Sequence, residues 1–243
     1  MTDLELAAHI AQTAGQLLLD LQSSGLFAGK SLGKAGDRVA NAFIMEALKS
    51  QRPDDAVLSE EEQDNPERLK ASRVWIVDPL DGTREYGEAR TDWAVHIALA
   101  INHAPAIGAV ALPGLGVTLT SAPGFVLPAR AAKPRMLVSR TRPAAEALSV
   151  ARALDAELVA MGSAGAKAMA ILRGEADIYL HSGGQYEWDN CAPAAVALAA
   201  GLHASRMNGA PLTYNHADPF LPDLLICRHE DAQHILNLIK QTA

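Results

Sequence analysis

Apolar positions near the start of the chain recur every three or four residues: Leu4, Ala7, Ala8, Ala11, Ala14, Leu18 and Leu21. That period predicts an amphipathic helix, ended before Gly25. Phe27 to Gly36 reads as a Gly/Lys-rich connection. Asp37 then opens a second helix, with Val39, Ala40, Phe43, Ile44, Ala47 and Leu48 as its apolar face. Taken alone, an Asp there is explained as an N-cap. The period then shortens. Ala56 to Ser59 is a short strand entering the acid cluster Glu60-Glu61-Glu62, and Val74 to Val77 is a buried strand. Trp93 to Ile101 alternates: Trp93, Val95, Ile97 and Leu99 share one face, while Ala94, His96, Ala98 and Ala100 share the other. Small side chains on that second face predict a closely packed helix. Ile107 to Ala111 and Val117 to Thr120 extend an antiparallel set.

Pro123, Gly124, Pro128 and Pro134 punctuate the next stretch, which makes it the best internal boundary. Beyond it strands and helices alternate. Strands are expected at Met136 to Val138, Glu157 to Val159, Ile178 to Leu180 and Leu224 to Ile226. Helices are expected from Pro143, over Ala164 to Leu172, from about Cys191, and over His229 to Lys240. The chain therefore divides into an α+β half over residues 1–125 and an α/β half over residues 135–243, packed as one compact unit.

Composition narrows the class. Hydrophobic residues make up 49% and charged residues 20%, ordinary values for a globular protein. The net charge is −7 and the Lys and Arg residues are dispersed, which argues against a nucleic-acid backbone binder. The acidic N-terminus lacks the features of a signal peptide. No apolar stretch reaches the roughly 18 residues that span a bilayer. These points lead to the expectation of a soluble, cytoplasmic protein with no membrane partner. Cys191 and Cys227 are then reduced thiols that serve as small core residues.

The most informative segment is Asp78-Pro79-Leu80-Asp81-Gly82-Thr83, which follows the strand Val74 to Val77. Two carboxylates sit in a turn forced by Pro79 and released by Gly82. Carboxylates this close repel unless a proton or a cation stands between them. A hard divalent ion such as Mg²⁺ meets that need with oxygen ligands. Asp37, Glu60 with Glu61, and Asp189 supply further acids, each at a strand end or a helix start. Such places gather functional groups in α/β scaffolds.

D-P-L-D-G-T after an apolar strand, S-E-E upstream and W-D-x-[AC]-A downstream resemble the inositol monophosphatase superfamily. Ser59-Glu60-Glu61, Arg73 to Asp78 and Gly162 to Lys167 look most like the bacterial 3′(2′),5′-bisphosphate nucleotidases of the CysQ type, in their actinobacterial branch. The resemblance implies a layered αβαβα sandwich and a phosphomonoesterase that uses two or three Mg²⁺ and is inhibited by lithium. It implies Glu60, Asp78 and the Leu80 carbonyl as ligands of one ion, and Asp78, Asp81 and Asp189 as ligands of a second. Gly82 and Thr83 would hold the phosphate through backbone N–H groups, and Thr83 Oγ with Asp37 or Glu60 would orient the attacking water.

Where relatives carry a longer T-K-x-D-x-S-P-V-T segment, this chain has Ser31-Leu32-Gly33-Lys34-Ala35-Gly36-Asp37. The Asp and Thr of that segment are missing. Substrate contacts are expected from Ser163 and Lys167 on a Gly-rich turn, from Glu187 to a sugar hydroxyl, and from Arg84 to a second phosphate. Ordinary helix capping and a solvated Lys would also explain the Ser163 and Lys167 turn. Tyr86, Tyr186 and Trp188 are candidates to stack on a base, with Trp188 better explained as core. His96 reads as a satisfied core group, and no histidine is assigned to metal. The substrate implied is adenosine 3′,5′-bisphosphate, a by-product of sulfate assimilation, hydrolysed to AMP by a homodimer. Inositol 1-phosphate and fructose 1,6-bisphosphate are the rival substrates, and a nucleotide-binding regulatory protein without turnover is the non-enzymatic rival.

Overall fold

Five layers follow from where the apolar faces lie. A computed structural model of the chain describes residues 1–242. Helix α1 (Asp3–Ser23) is started by Thr2, whose hydroxyl accepts the Glu5 N–H while Glu5 accepts the Thr2 N–H. Helix α2 spans Gly29–Gln51. The sequence placed a connection over Phe27 to Gly36 and started this helix at Asp37, eight residues later. Gly33 and Gly36 are not breakers here. A Cβ at Gly36 would stand 2.8 Å from Tyr86, 2.9 Å from Leu80 and 3.0 Å from Leu18. One at Gly33 would stand 2.7 Å from Thr83. The glycines let α2 lie against the hexapeptide turn, and Asp37 becomes a mid-helix residue instead of an N-cap.

Strands β1 (Ala56–Ser59), β2 (Arg73–Asp81), β3 (Ala94–Ile101), β4 (Ala104–Leu112) and β5 (Val117–Thr120) form the first sheet in that order. β1 and β2 are parallel and the others antiparallel. The short helix α3 (Thr83–Gly87) follows β2. Trp75, Val77, Val95, Ile97 and Leu99 pack on one side with Leu6, Ile10, Leu18, Ile44 and Leu48 of the first two helices.

The second sheet contains β6 (Arg135–Ser139), β7 (Glu157–Met161), β8 (Ile178–Tyr186), β9 (Leu202–Ser205) and β10 (Phe220–Arg228), in the order β7-β6-β8-β10-β9. Four helices alternate with them: α4 (Ala145–Ala153), α5 (Ala164–Leu172), α6 (Glu187–Ala199) and α7 (Ala232–Thr242). The sequence reading missed β9, four residues set off by Gly201. It also started α6 near Cys191, whereas the helix begins at Glu187.

Between the sheets, α5 and α6 bury Met169, Ile171, Cys191 and Val196. They face Val74, Ile76, Ala94, Ala98 and Val110 of one sheet, and Leu137, Tyr179, Leu224 and Ile226 of the other. Outside the second sheet, Ala147 and Val150 of α4 and Ile235 and Ile239 of α7 cover Met136, Ile178 and Leu225. The layers run αβαβα, as the sequence reading expected. Cys191 and Cys227 are free and buried. Among the described residues no helix is long and apolar enough to cross a membrane.

The alanine face of β3 is the floor on which the central helices rest. At Gly108, beside it on β4, a Cβ would meet the Ala192 carbonyl oxygen at 2.5 Å and Ala195 Cβ at 2.9 Å. Backbone cannot retreat as a flexible side-chain tip can. Gly108→Val is therefore expected to cost about 1–3 kcal/mol by overpacking, read as a lower urea midpoint at unchanged m-value.

Candidate active site

Asp78 and Asp81 stand three residues apart on β2, an offset that in a regular strand sends side chains to opposite faces. Here Asp78 lies opposite His96 and Asp81 opposite Ala94, so three steps on β2 match two on β3. The extra residue makes a bulge around Pro79 and Leu80, where proline has no N–H to give to a partner strand. The bulge turns both carboxylates toward the layer of α5 and α6. Gly82 then takes a left-handed conformation, φ 91°, and starts α3.

Asp189 enters from α6. It was expected just before that helix and instead occupies its first turn, where Oδ2 accepts the Tyr186 N–H at 2.6 Å. Asp78, Asp81 and Asp189 can each place an oxygen within 4.8 Å of those of the other two. Hydrogen bonds to the three converge on one oxygen apiece. Asp78 Oδ1 accepts the Leu80 N–H at 3.0 Å. Asp81 Oδ2 accepts the Ser163 hydroxyl and, at 2.7 Å, the Gly165 N–H. Among the described residues no N–H or hydroxyl donor reaches the remaining oxygen of any of the three, and the Asp78 carboxyl also shares a hydrogen bond with the Glu60 carboxyl.

Electrostatics agrees with that geometry. Burial, then the charges of Glu60, Asp81 and Asp189, pushes Asp78 well above the usual carboxylate range. Burial and the Asp81 charge raise Asp189 to about 6. Glu60, just past β1, is exposed along one side, yet its carboxyl faces the cluster; burial and the Asp189 charge raise it to about 7. Burial alone would raise Asp81 too, but the His96 imidazole, the Ser163 hydroxyl and the Gly165 N–H outweigh it and hold Asp81 at about 2. The cluster thus holds more negative charge than the protein neutralises. Oxygen ligands with spare lone pairs and unrelieved mutual repulsion fit a hard divalent cation.

Asp37 reaches this place from the middle of α2. Its Oδ1 lies 3.3 Å from Thr83 Oγ1, which is also 3.1 Å from the Leu80 carbonyl oxygen. Burial, then the Glu61 charge, raises Asp37 to about 7. The structure thereby pairs Thr83 with Asp37, one of the two partners the sequence left open.

A cavity of about 640 Å³ opens beside the cluster. Asp81, Gly82 and Asp189 line one side of it; Arg84, Arg140, Arg142 and Lys167 bring positive charge, and Tyr179, His181 and Tyr186 complete the wall. Ser163 caps α5 through the Ala166 N–H at 3.0 Å while donating to Asp81. Lys167 is not a solvated Lys. It is buried, with Nζ 2.6 Å from the Ser163 carbonyl oxygen and 5.2 Å above the Tyr179 ring. Burial pushes its ammonium below its usual range. Arg84 is exposed and tied to Glu88 at 3.0 Å.

Two residues expected to meet substrate lie away from the cavity. Glu187 is fully buried, and its carboxylate accepts the Asn215 and His216 N–H groups at 2.7 Å each. It anchors a loop and does not line the cavity. Tyr86 is likewise buried, and its hydroxyl donates to the Leu18 carbonyl at 2.7 Å. Tyr186 is exposed at the cavity lip, stacked on Trp188 at 4.8 Å between ring centres. The sequence reading passed over Arg140 and Arg142. Their signal was the polar run Ser139-Arg140-Thr141-Arg142 after an apolar strand. His96 is in the core, as the strand pattern predicts, but it is not fully satisfied there: Nε2 has no hydrogen-bond partner among the described residues and lies 3.2 Å from Asp81.

Similarity to known proteins points the same way. The inositol monophosphatase family model matches residues 4–240. The chain is 48% identical to a 3′-phosphoadenosine 5′-phosphate phosphatase of Mycobacterium leprae, covering 99% of this chain and 94% of that one. It is 51% identical to the protein of the same name in Mycobacterium tuberculosis, covering 93% and 89%. The crystal structure of CysQ from Bacteroides thetaiotaomicron superposes with a TM-score of 0.79 at 25% identity, over 93% of this chain and 97% of that one. With its acid-bearing bulge and central helices in place and a match along nearly its whole length, the chain belongs to the inositol monophosphatase family.

Proposed function

We propose that this protein is a Mg²⁺-dependent 3′(2′),5′-bisphosphate nucleotidase that removes the 3′-phosphate of adenosine 3′,5′-bisphosphate to give AMP, and acts likewise on the corresponding phosphosulfate. The observation that carries this reading is the complete set of half-anchored carboxylates opening onto a cavity with cationic walls. The relatives named for the same nucleotide substrate, at about half identity, support the choice of ester. A cytoplasmic homodimer is part of the same reading.

In this reading, Glu60, Asp78 and the Leu80 carbonyl hold one Mg²⁺, while Asp78, Asp81 and Asp189 hold another. Bound Mg²⁺ supplies a Lewis acid that makes water nucleophilic near neutral pH and stabilises the leaving oxygen. The Leu80 carbonyl has a second lone pair beside the one facing Thr83. Thr83 Oγ1 has one proton, within reach of both Asp37 at 3.3 Å and the Leu80 carbonyl at 3.1 Å, and keeps lone pairs to accept from a water molecule. Asp37, raised to about 7, is suited to take up a proton near neutrality. The Gly82 and Thr83 N–H groups would hold the phosphate, and only glycine suits position 82, where φ is 91° and a Cβ would meet Ser163 and Trp93 at 3.2 Å. Arg84, Ser163 and Lys167 face the remainder of the ester.

Steady-state assays with adenosine 3′,5′-bisphosphate, inositol 1-phosphate and fructose 1,6-bisphosphate test the substrate. The highest kcat/KM is expected for the nucleotide; a higher value for inositol 1-phosphate sinks the nucleotidase reading. Lithium is expected to inhibit at millimolar concentration, and its failure to do so would separate this chain from the behaviour implied by its family. Asp78→Asn is expected to lower kcat by on the order of 10²–10³-fold through lost charge stabilisation. The same change removes a repulsive buried charge, so the metal-free variant should melt at a higher temperature than the metal-free parent. Full Mg²⁺-dependent activity in Asp78→Asn would overturn the assignment of two ions.

A further inference from the structure

His96 is fully buried on the face of β3 otherwise made of alanines. Its Nδ1 lies 3.0 Å from the Trp188 carbonyl oxygen. A carbonyl can only accept, so Nδ1 carries the proton of that bond. Nε2 points the opposite way, 3.2 Å from Asp81 Oδ2. It is buried and has no hydrogen-bond partner of good geometry among the described residues, so the Asp81 carboxylate is the one polar group it faces, as a charge contact. The ring has no alternative place to turn. Helix α5 passes directly over it at Gly165, where a Cβ would come 2.0 Å from Nε2.

One imidazole therefore spans the two segments that bring carboxylates to the cluster. It touches Asp81 at the end of β2 and the backbone of α6 one residue before Asp189. Three protein groups (the Ser163 hydroxyl, the Gly165 N–H and His96) crowd on Asp81 Oδ2. With Oδ2 held on that side, Oδ1 is the oxygen left for an ion.

We propose that His96 is a positioning residue for the metal site: it sets the spacing between Asp81 and the first turn of α6 and turns Asp81 so that Oδ1 faces the cation. This inference rests on the reading of Asp78, Asp81 and Asp189 as metal ligands. Partners that orient ligating carboxylates typically govern metal affinity by about 10–100-fold. A residue present only to fill volume between β3 and α5 would carry no such effect, because an aliphatic side chain of similar size fills the same space.

Calorimetric titration of the substrate-free protein with MgCl₂ separates the two roles. Relative to the parent, His96→Leu is expected to bind Mg²⁺ about 10–100-fold more weakly, and to need correspondingly more Mg²⁺ for half-maximal activity, with KM for the nucleotide little changed. A folded His96→Leu protein with parental Mg²⁺ affinity overturns the proposal. Should His96→Leu not fold, His96→Gln decides, because its amide can serve one of the two partners but not both. Weakened Mg²⁺ binding in that variant supports the role, and parental binding removes it. A parent protein that binds no Mg²⁺ would instead sink the metal reading of the whole cluster, and the inference with it.

Discussion

Repulsion among Asp78, Asp81 and Asp189 is the constraint around which the molecule is arranged. Three carboxylates with oxygens inside 4.8 Å of one another, two of them buried, would separate if the chain allowed it. Each is prevented by a different element. The bulge at Pro79 keeps Asp78 and Asp81 on one face, α5 grips Asp81 through Ser163 and Gly165, and the first turn of α6 fixes Asp189 through its own backbone. The alanine face of β3 and Gly108 let those helices come close enough to do so. The layered core is thus the frame that holds like charges together.

Holding them costs stability, and the cost is relieved by binding. A group that ionises less readily in the folded chain, as Asp78 and Asp189 do, favours unfolding near neutral pH unless a cation joins it. Any ion that binds only the folded form returns stability in proportion to RT ln(1 + [L]/Kd). With the cluster read as a metal site, fold stability and catalytic competence would be linked through one ion-binding equilibrium. That trade-off is expected where function demands a locally unfavourable arrangement.

The hexapeptide and the Trp188-Asp189 pair were legible because their chemistry is written in consecutive residues. The five layers were legible because alternation on β3 and the helical period of α1 each report which side is buried. Other parts could not be read locally. Gly33 and Gly36 looked like breakers because a glycine in sequence does not reveal whether another chain segment presses on it; Leu18, Leu80, Tyr86 and Thr83 do so here. Glu187 looked like a substrate contact because its position beside Asp189 was visible, whereas its true partners, the N–H groups of Asn215 and His216, lie nearly thirty residues away. His96 looked like core for the same reason: its burial follows from the pattern, but its two polar neighbours come from β2 and α6.

The cavity adds a second asymmetry that the metal motif alone does not contain. At one end the carboxylates exclude any anion until a cation arrives. Along the walls the positive charges are partly spoken for: Arg140 reaches Glu85 and Glu88 at 2.8 Å, Arg84 reaches Glu88, and the Lys167 ammonium rests on two carbonyl oxygens. Carboxylates that hold guanidinium groups in place also reduce their pull on a free phosphate, so these groups orient an anion more than they capture it. On the proposed reading, capture would fall chiefly to the metal-dependent end, while the walls would decide which ester fits. On that reading, such a division would let one acid cluster serve a family whose members differ in substrate: the chemistry would stay with the bulge and the first turn of α6, and selectivity would reside in the wall built from the Ser139 to Arg142 turn, β8 and α5.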